Sequence, residues 1–205
     1  MLPKTKNARI TTDFRPIANI RLMYKTFAYL ILGRIEELLE HAQPEDQHGF
    51  RTNRRIEEHL LSANMVIDKT LLANRPLWIL SLDLSKAFDR VDWDALWRGL
   101  RLHGVSAHLV WLLQMVYSNQ TGQITGHSDA SREFCIKAGV RQGCVLSPRL
   151  FCSVLQLAME EWRRDVSHNG LDLGDGGPPL LDLRFADDIL LFAGSAEQLV
   201  CLINW

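Results

Sequence analysis

Leu181-Asp182-Leu183-Arg184-Phe185-Ala186-Asp187-Asp188-Ile189-Leu190-Leu191-Phe192 is the stretch on which the fold turns. Two runs of strand-forming residues flank one small residue and two adjacent acids. That pattern predicts a β-hairpin over 181–193 with the carboxylates at its tight turn. Adjacent like charges repel, and Arg184 is the only basic neighbour, so the pair is costly unless something positive is shared between the two. A divalent cation is the usual solution, because hard ions such as Mg²⁺ prefer carboxylate oxygens. An isolated Asp-Asp pair is more often a solvated surface turn. The remainder of the chain has to decide between the two.

A second acidic position stands upstream, in Trp78-Ile79-Leu80-Ser81-Leu82-Asp83-Leu84-Ser85-Lys86-Ala87-Phe88-Asp89. Residues 77–82 are almost wholly apolar, which predicts a strand buried on both faces and closed by Asp83. A carboxylate at the end of such a strand is rarely a packing choice. Asp92-Trp93-Asp94 opens a helical pattern through Leu96, Leu100 and Leu102, so Asp92 or Asp94 reads as an N-cap. Asp89 fits either role. Between the two acidic positions lies Gly139-Val140-Arg141-Gln142-Gly143-Cys144-Val145-Leu146-Ser147-Pro148. Its glycines allow close backbone approach, and Gln142 offers a donor and an acceptor. Ser147-Pro148 then starts a helix that Leu150, Phe151, Val154, Leu155 and Ala158 continue at helical spacing.

With these segments in view, the chain resembles the reverse transcriptase domain of non-LTR (LINE-type) retrotransposons. Asp13-Phe14-Arg15-Pro16-Ile17 through Tyr24-Lys25 resembles the family's first fingers block, and Gln47-His48-Gly49-Phe50-Arg51 the second. Ser81 to Asp89 resembles palm motif A, Arg141 to Pro148 motif B, and Phe185-Ala186-Asp187-Asp188 motif C. Five blocks in family order are specific where any one would be weak. Motif B usually carries Pro where this chain has Val145. The resemblance implies an α+β fold: right-hand polymerase fingers (about 1–75) and palm (about 76–205), an antiparallel sheet packed on helices, with the thumb missing after motif C. With no thumb to cover the palm, apolar surface is expected around Leu190, Phe192 and Leu202.

The resemblance also implies an RNA-directed DNA polymerase that joins deoxynucleoside triphosphates to a primer 3′-hydroxyl with two Mg²⁺ ions, Mn²⁺ being an alternative. Asp83 and Asp187 would bridge the metals, Asp188 would assist, and the Leu84 carbonyl would be a further ligand. Phe88, five residues beyond Asp83, stands where the family carries an aromatic gate against the ribose 2′-hydroxyl; a core aromatic is the alternative. Gln142 and Gly143 would line the nucleotide pocket and Arg51 would reach the triphosphate. Arg15 and Lys25 are weaker candidates. Implied partners are an RNA template, a DNA primer and dNTPs. Three other readings stand beside this one: an inactive remnant serving as a binding module, a group II intron-like reverse transcriptase, and a metal-dependent nuclease or phosphatase. The last leaves motif B and the fingers blocks without a role.

Composition agrees with the resemblance. The 205 residues are 47% hydrophobic and 23% charged, enough to bury a core. Net charge is −1, but residues 1–150 hold 20 basic against 15 acidic side chains, and residues 151–205 hold 3 against 9. The basic excess falls on the fingers and motif B segments, where phosphates would lie, and the acidic excess includes the Asp187-Asp188 pair. The four cysteines show no CxxC pairing, as in a reduced intracellular protein, with nucleus and cytoplasm both open. No apolar run is long enough to span a membrane, so no membrane partner is expected. Periodicity predicts helices over 18–42, 53–73, 92–103, 106–117 and 148–165, with short strands near 121–127 and 133–138.

Overall fold

The computed structural model describes residues 14–125 and 130–204, and the backbone of Leu2–Pro3. Asp13, the Arg15 side chain and residues 126–127 of a predicted strand lie outside the described residues. The element order is β1 (Leu2–Pro3), β2 (Phe14–Arg15), α1 (Leu22–His41), α2 (Ile56–Leu72), β3 (Trp78–Asp83), α3 (Trp93–Leu102), α4 (Ala107–Ser118), β4 (Thr121–Gly122), β5 (Phe134–Cys135), α5 (Ser147–Val166), β6 (Asp182–Phe185), β7 (Asp188–Ala193) and α6 (Ala196–Ile203). The fold is thus α+β with antiparallel sheets, as expected. Among the described residues no helix is long and apolar enough to cross a membrane. The four cysteines are free thiols.

The chain packs as two compact units, each drawn from two stretches. The first comprises residues 1–39 and 86–154. Its α1 buries Ala28, Ile31, Ile35 and Leu39, spaced three and four apart. Leu30 and Leu38 are exposed, each one position before a buried residue of that face. Asp92 caps α3, its carboxylate accepting the Ala95 N–H at 2.8 Å. Gly104, at φ +83, ends that helix in the left-handed conformation that glycine adopts without strain.

The second unit comprises residues 40–85 and 155–205 and holds the three-stranded sheet, in the order β3-β7-β6. One face packs on a cluster of Val66, Leu171, Leu183 and Phe192. Two expectations are corrected here. Strand β3 is not buried on both faces: it is an edge strand, with Trp78, Ile79 and Asp83 exposed. An apolar run reports strand propensity, while its place in the sheet depends on pairings far along the chain. Conversely, Phe192 and Leu202 are buried and Leu190 is partly packed, so the exposed apolar surface expected around them does not form. Helix α6, for which the sequence reading gave no element, contacts β7 and β3 and buries Leu202, whose carbonyl accepts the Trp162 indole N–H at 3.0 Å.

Candidate active site

The acids meet at one end of the sheet. Strand β3 pairs antiparallel with β7 from Trp78↔Ala193 to Asp83↔Asp188, and β6 pairs with β7 as far as Phe185↔Asp188. Directly opposed cross-strand residues project from the same face, so Asp83 and Asp188 stand side by side. Ala186 and Asp187 are the two residues of the intervening turn. Ala186 takes φ +58, a conformation costly for a residue with a Cβ and available to few besides glycine. Asp83 and Asp188 are exposed and Asp187 is half-buried. Leu84 is the first residue past β3.

Partial desolvation, followed by the charges of Asp187 and Asp83, raises the Asp188 carboxyl above the ordinary carboxylate range. Asp188 therefore senses both of the other acids. Among the described residues no group of three or more His, Cys, Asp or Glu side chains is placed to hold a metal ion. An all-carboxylate donor set under mutual repulsion fits a hard divalent cation that shares its remaining coordination with substrate or water. Arg184 does not relieve that repulsion. It is fully buried, with its guanidinium against Asp182 at 2.9 Å, Asp46 at 2.9 Å and Gln156 at 3.2 Å. Arg163 joins the same network through Asp182 at 2.6 Å and through Asp46.

The segment 46–49 lies along the outer edge of β6. Arg184 N–H donates to the Asp46 carbonyl at 2.7 Å, and His48 N–H to the Arg184 carbonyl at 2.9 Å. Gln47 is wholly buried. Its Oε1 accepts the N–H groups of Ala186 at 3.0 Å and Gly49 at 2.7 Å, and its Nε2 donates to the Ala186 carbonyl at 3.3 Å. The Gly49 backbone lies against the turn so closely that a Cβ there would fall 2.6 Å from Ala186 Cα. Arg51 is committed nearby: its Nε donates to Glu40 at 2.7 Å and its Nη1 to the carbonyls of Pro44 at 2.6 Å and Gln47 at 3.1 Å.

In the other unit, the Gly139–Pro148 segment is laced to residues 88–93. Val140 N–H donates to the Phe88 carbonyl and Gly139 N–H to the Val91 carbonyl, both at 2.8 Å, and the Trp93 indole donates to the Gly139 carbonyl at 2.9 Å. Gln142 Nε2 donates to Asp89 at 3.0 Å, which gives Asp89 a partner. Gly143, at φ +99, requires glycine for its backbone conformation. Half-buried Phe88 stacks on buried Phe151, ring centroids 5.0 Å apart. The Arg141 guanidinium lies over the ring of Tyr24 at 4.2 Å and that of Tyr117 at 5.1 Å. Burial pushes the Tyr117 phenol up to about 12 despite that cation. A cavity of about 170 Å³ opens beside them, lined in part by Tyr24, Lys25, Tyr29, Gly143 and Cys144.

Comparison with known proteins identifies the family. The family described as reverse transcriptase (RNA-dependent DNA polymerase) matches residues 2–204. The chain belongs to that family. It is 28% identical, over 99% of its length, to the Pol polyprotein of the type-2 retrotransposable element R2DM of Drosophila melanogaster, and covers 18% of that protein. It is 35% identical, over 72% of its length, to a probable RNA-directed DNA polymerase from the transposon X-element of the same species, covering 16% of it. The mobile element jockey of Drosophila funebris supplies an RNA-directed DNA polymerase 27% identical over 89% of the chain, of which the chain covers 19%. The chain thus spans about a fifth of the length of these relatives. Among solved structures it is similar to telomerase from Candida tropicalis in complex with a telomeric RNA fragment, with TM-score 0.61 at 13% identity, covering 91% of this chain and 33% of that one.

For this reverse transcriptase chain, the sequence located the acids but not what supports them. Gln47 was legible as part of a fingers block, with no hint that its side chain ends on the hairpin turn 139 residues away. The aromatic sandwich around Arg141 was equally hidden, although Tyr24 and Arg141 each stood in a quoted block. Two clues were available in retrospect: a glycine two residues after Gln47, and a non-glycine residue at a two-residue turn that needs outside support.

Proposed function

We propose that this chain is the fingers (about 1–75) and palm (about 76–205) of a retrotransposon RNA-directed DNA polymerase, acting on an RNA template, a primer and dNTPs. The observation that carries this reading is the register Asp83↔Asp188, with Asp187 in the turn beside it, which gathers all three acids at one end of one sheet. Asp83 and Asp187 would hold two divalent ions, Mg²⁺ by preference, with Asp188 and the Leu84 carbonyl assisting. When bound, such ions lower the pKa of the primer hydroxyl and neutralise charge on the leaving oxygens. The chain's own part is to orient. The edge position of β3 leaves Asp83 open to an incoming chain end, and the like charges around Asp188 favour a cation-loaded state. Gln142, braced on Asp89, and Gly143 would line the nucleotide pocket, with Phe88 as a gate against ribose. Arg51 would offer a triphosphate only Nη2, since Nε and Nη1 are bonded to Glu40, Pro44 and Gln47.

The test is RNA-templated dNTP incorporation by this protein. Asp83→Asn and Asp187→Asn should each abolish extension while RNA binding persists. Extension at the wild-type rate by either variant would refute the assignment.

A further inference from the structure

We propose that Gln47 is a positioning residue for the hairpin acids: its carboxamide clasps Ala186 by both backbone groups and thereby fixes the aim of Asp187. The inference rests on the reading of Asp187 as a metal-binding acid. Hairpin turns ordinarily leave their backbone groups to water. Here the turn residue gives its N–H to Gln47 Oε1 at 3.0 Å and takes a bond from Gln47 Nε2 at 3.3 Å. The orientation of the carboxamide is set independently, because Oε1 also accepts the Gly49 N–H at 2.7 Å.

The Ala186 carbonyl belongs to the peptide plane that carries the Asp187 nitrogen. Pinning that carbonyl stops the plane from rotating, and plane rotation is the motion that would swing the Asp187 side chain. Ala186, at φ +58, has reason to leave its conformation, and the clasp opposes that. Gln47 is itself held: its carbonyl accepts Arg51 Nη1 at 3.1 Å, and its neighbours Asp46 and His48 pair with Arg184 on β6. Support of this kind, acting on a metal ligand from outside the ligand set, is worth about 10–100-fold in metal affinity.

Mn²⁺ binding to this chain, followed by the electron paramagnetic resonance signal of the free ion, tests the proposal under conditions where circular dichroism shows every variant folded. Asp187→Asn and Gln47→Met should each weaken Mn²⁺ binding by about 10-fold or more. Thr70→Val, which removes a buried hydroxyl bonded only within α2, should leave binding unchanged. Weakening by Asp187→Asn together with wild-type affinity in Gln47→Met would overturn the clasp and leave the metal site standing. Wild-type affinity in Asp187→Asn would overturn the metal site and the clasp with it. Should Gln47→Met fail to fold, amide hydrogen exchange in the wild-type chain decides. The Ala186 N–H should be protected on the order of 100-fold, and exchange at the rate of an open turn would refute the proposal.

Discussion

Replacing Gly49 with alanine asks whether the hairpin turn is held as tightly as its surroundings imply. The new Cβ would fall 2.6 Å from Ala186 Cα and 2.8 Å from Ala186 Cβ, and the first of these is backbone that no side-chain rotation can clear. Overpacking of a close site costs about 1–3 kcal/mol. Pushing the 46–49 segment off the turn also strains both bonds of Gln47 to Ala186, at about 1 kcal/mol each. The total is about 3–5 kcal/mol, and each kcal/mol moves the midpoint of a chain this size by ~2–4 °C. A fall of roughly 6–20 °C is therefore expected in a thermal melt followed by circular dichroism. The same substitution at Gly33, where α1 leaves nothing within 4 Å, should instead stabilise by about 1 kcal/mol through helix propensity. A midpoint for Gly49→Ala equal to that of wild type would refute the close packing on the turn.

Three further outcomes follow from the geometry. Arg184→Met leaves the buried Asp182 with Arg163 alone, and urea denaturation should show a loss of about 3–5 kcal/mol; a loss below about 1 kcal/mol would mean the network carries no net weight. His59 is buried, stacked on His48 at 3.7 Å, and its Nε2–H is shared by the carbonyls of Asp46 and Arg184; burial first, then His48, holds its pKa below 6.5. The unfolded chain takes up that proton first, so stability should be full above pH 6.5 and fall as pH drops below it toward the folded-state value, by at most ~1.4 kcal/mol per pH unit. His59→Gln should flatten that slope, and an unchanged slope would assign it to other groups. Phe88→Val should admit ribonucleotides while sparing dNTP use; unchanged sugar selectivity would make its stack on Phe151 a packing contact only.

What could be read from the sequence was local. The hairpin over 181–193, the helix opening at Ser147-Pro148 and the Asp92 cap each follow from neighbours a few residues apart, and each stands where expected. What escaped depended on distant partners. The apolar run of β3 could not disclose that its strand would be an edge, since that follows from β7 taking the central place. Arg184 is the only basic neighbour of Asp187 and Asp188 in sequence, but alternation along β6 turns it with Asp182 toward Asp46 and Arg163. In α1 the helical period was legible, but packing buries a face that leaves Leu30 and Leu38 outside.

The sheet order also sets a timetable for synthesis. Hairpin β6–β7 is closed by a two-residue turn and can form as soon as it emerges, yet among the described residues β3 pairs with β7 alone. Asp83 and its partner Asp188 are separated by about a hundred residues, which a ribosome adds in roughly 5–20 s. Throughout that interval Trp78-Ile79-Leu80 waits as an unpaired strand with apolar side chains, the kind of segment that chaperones hold and that neighbouring nascent chains can capture. Residues 86–154, the insert that separates the two halves of the sheet-bearing unit, contribute to a compact unit of their own. The half of the sheet that carries Asp83 is therefore made early and completed last.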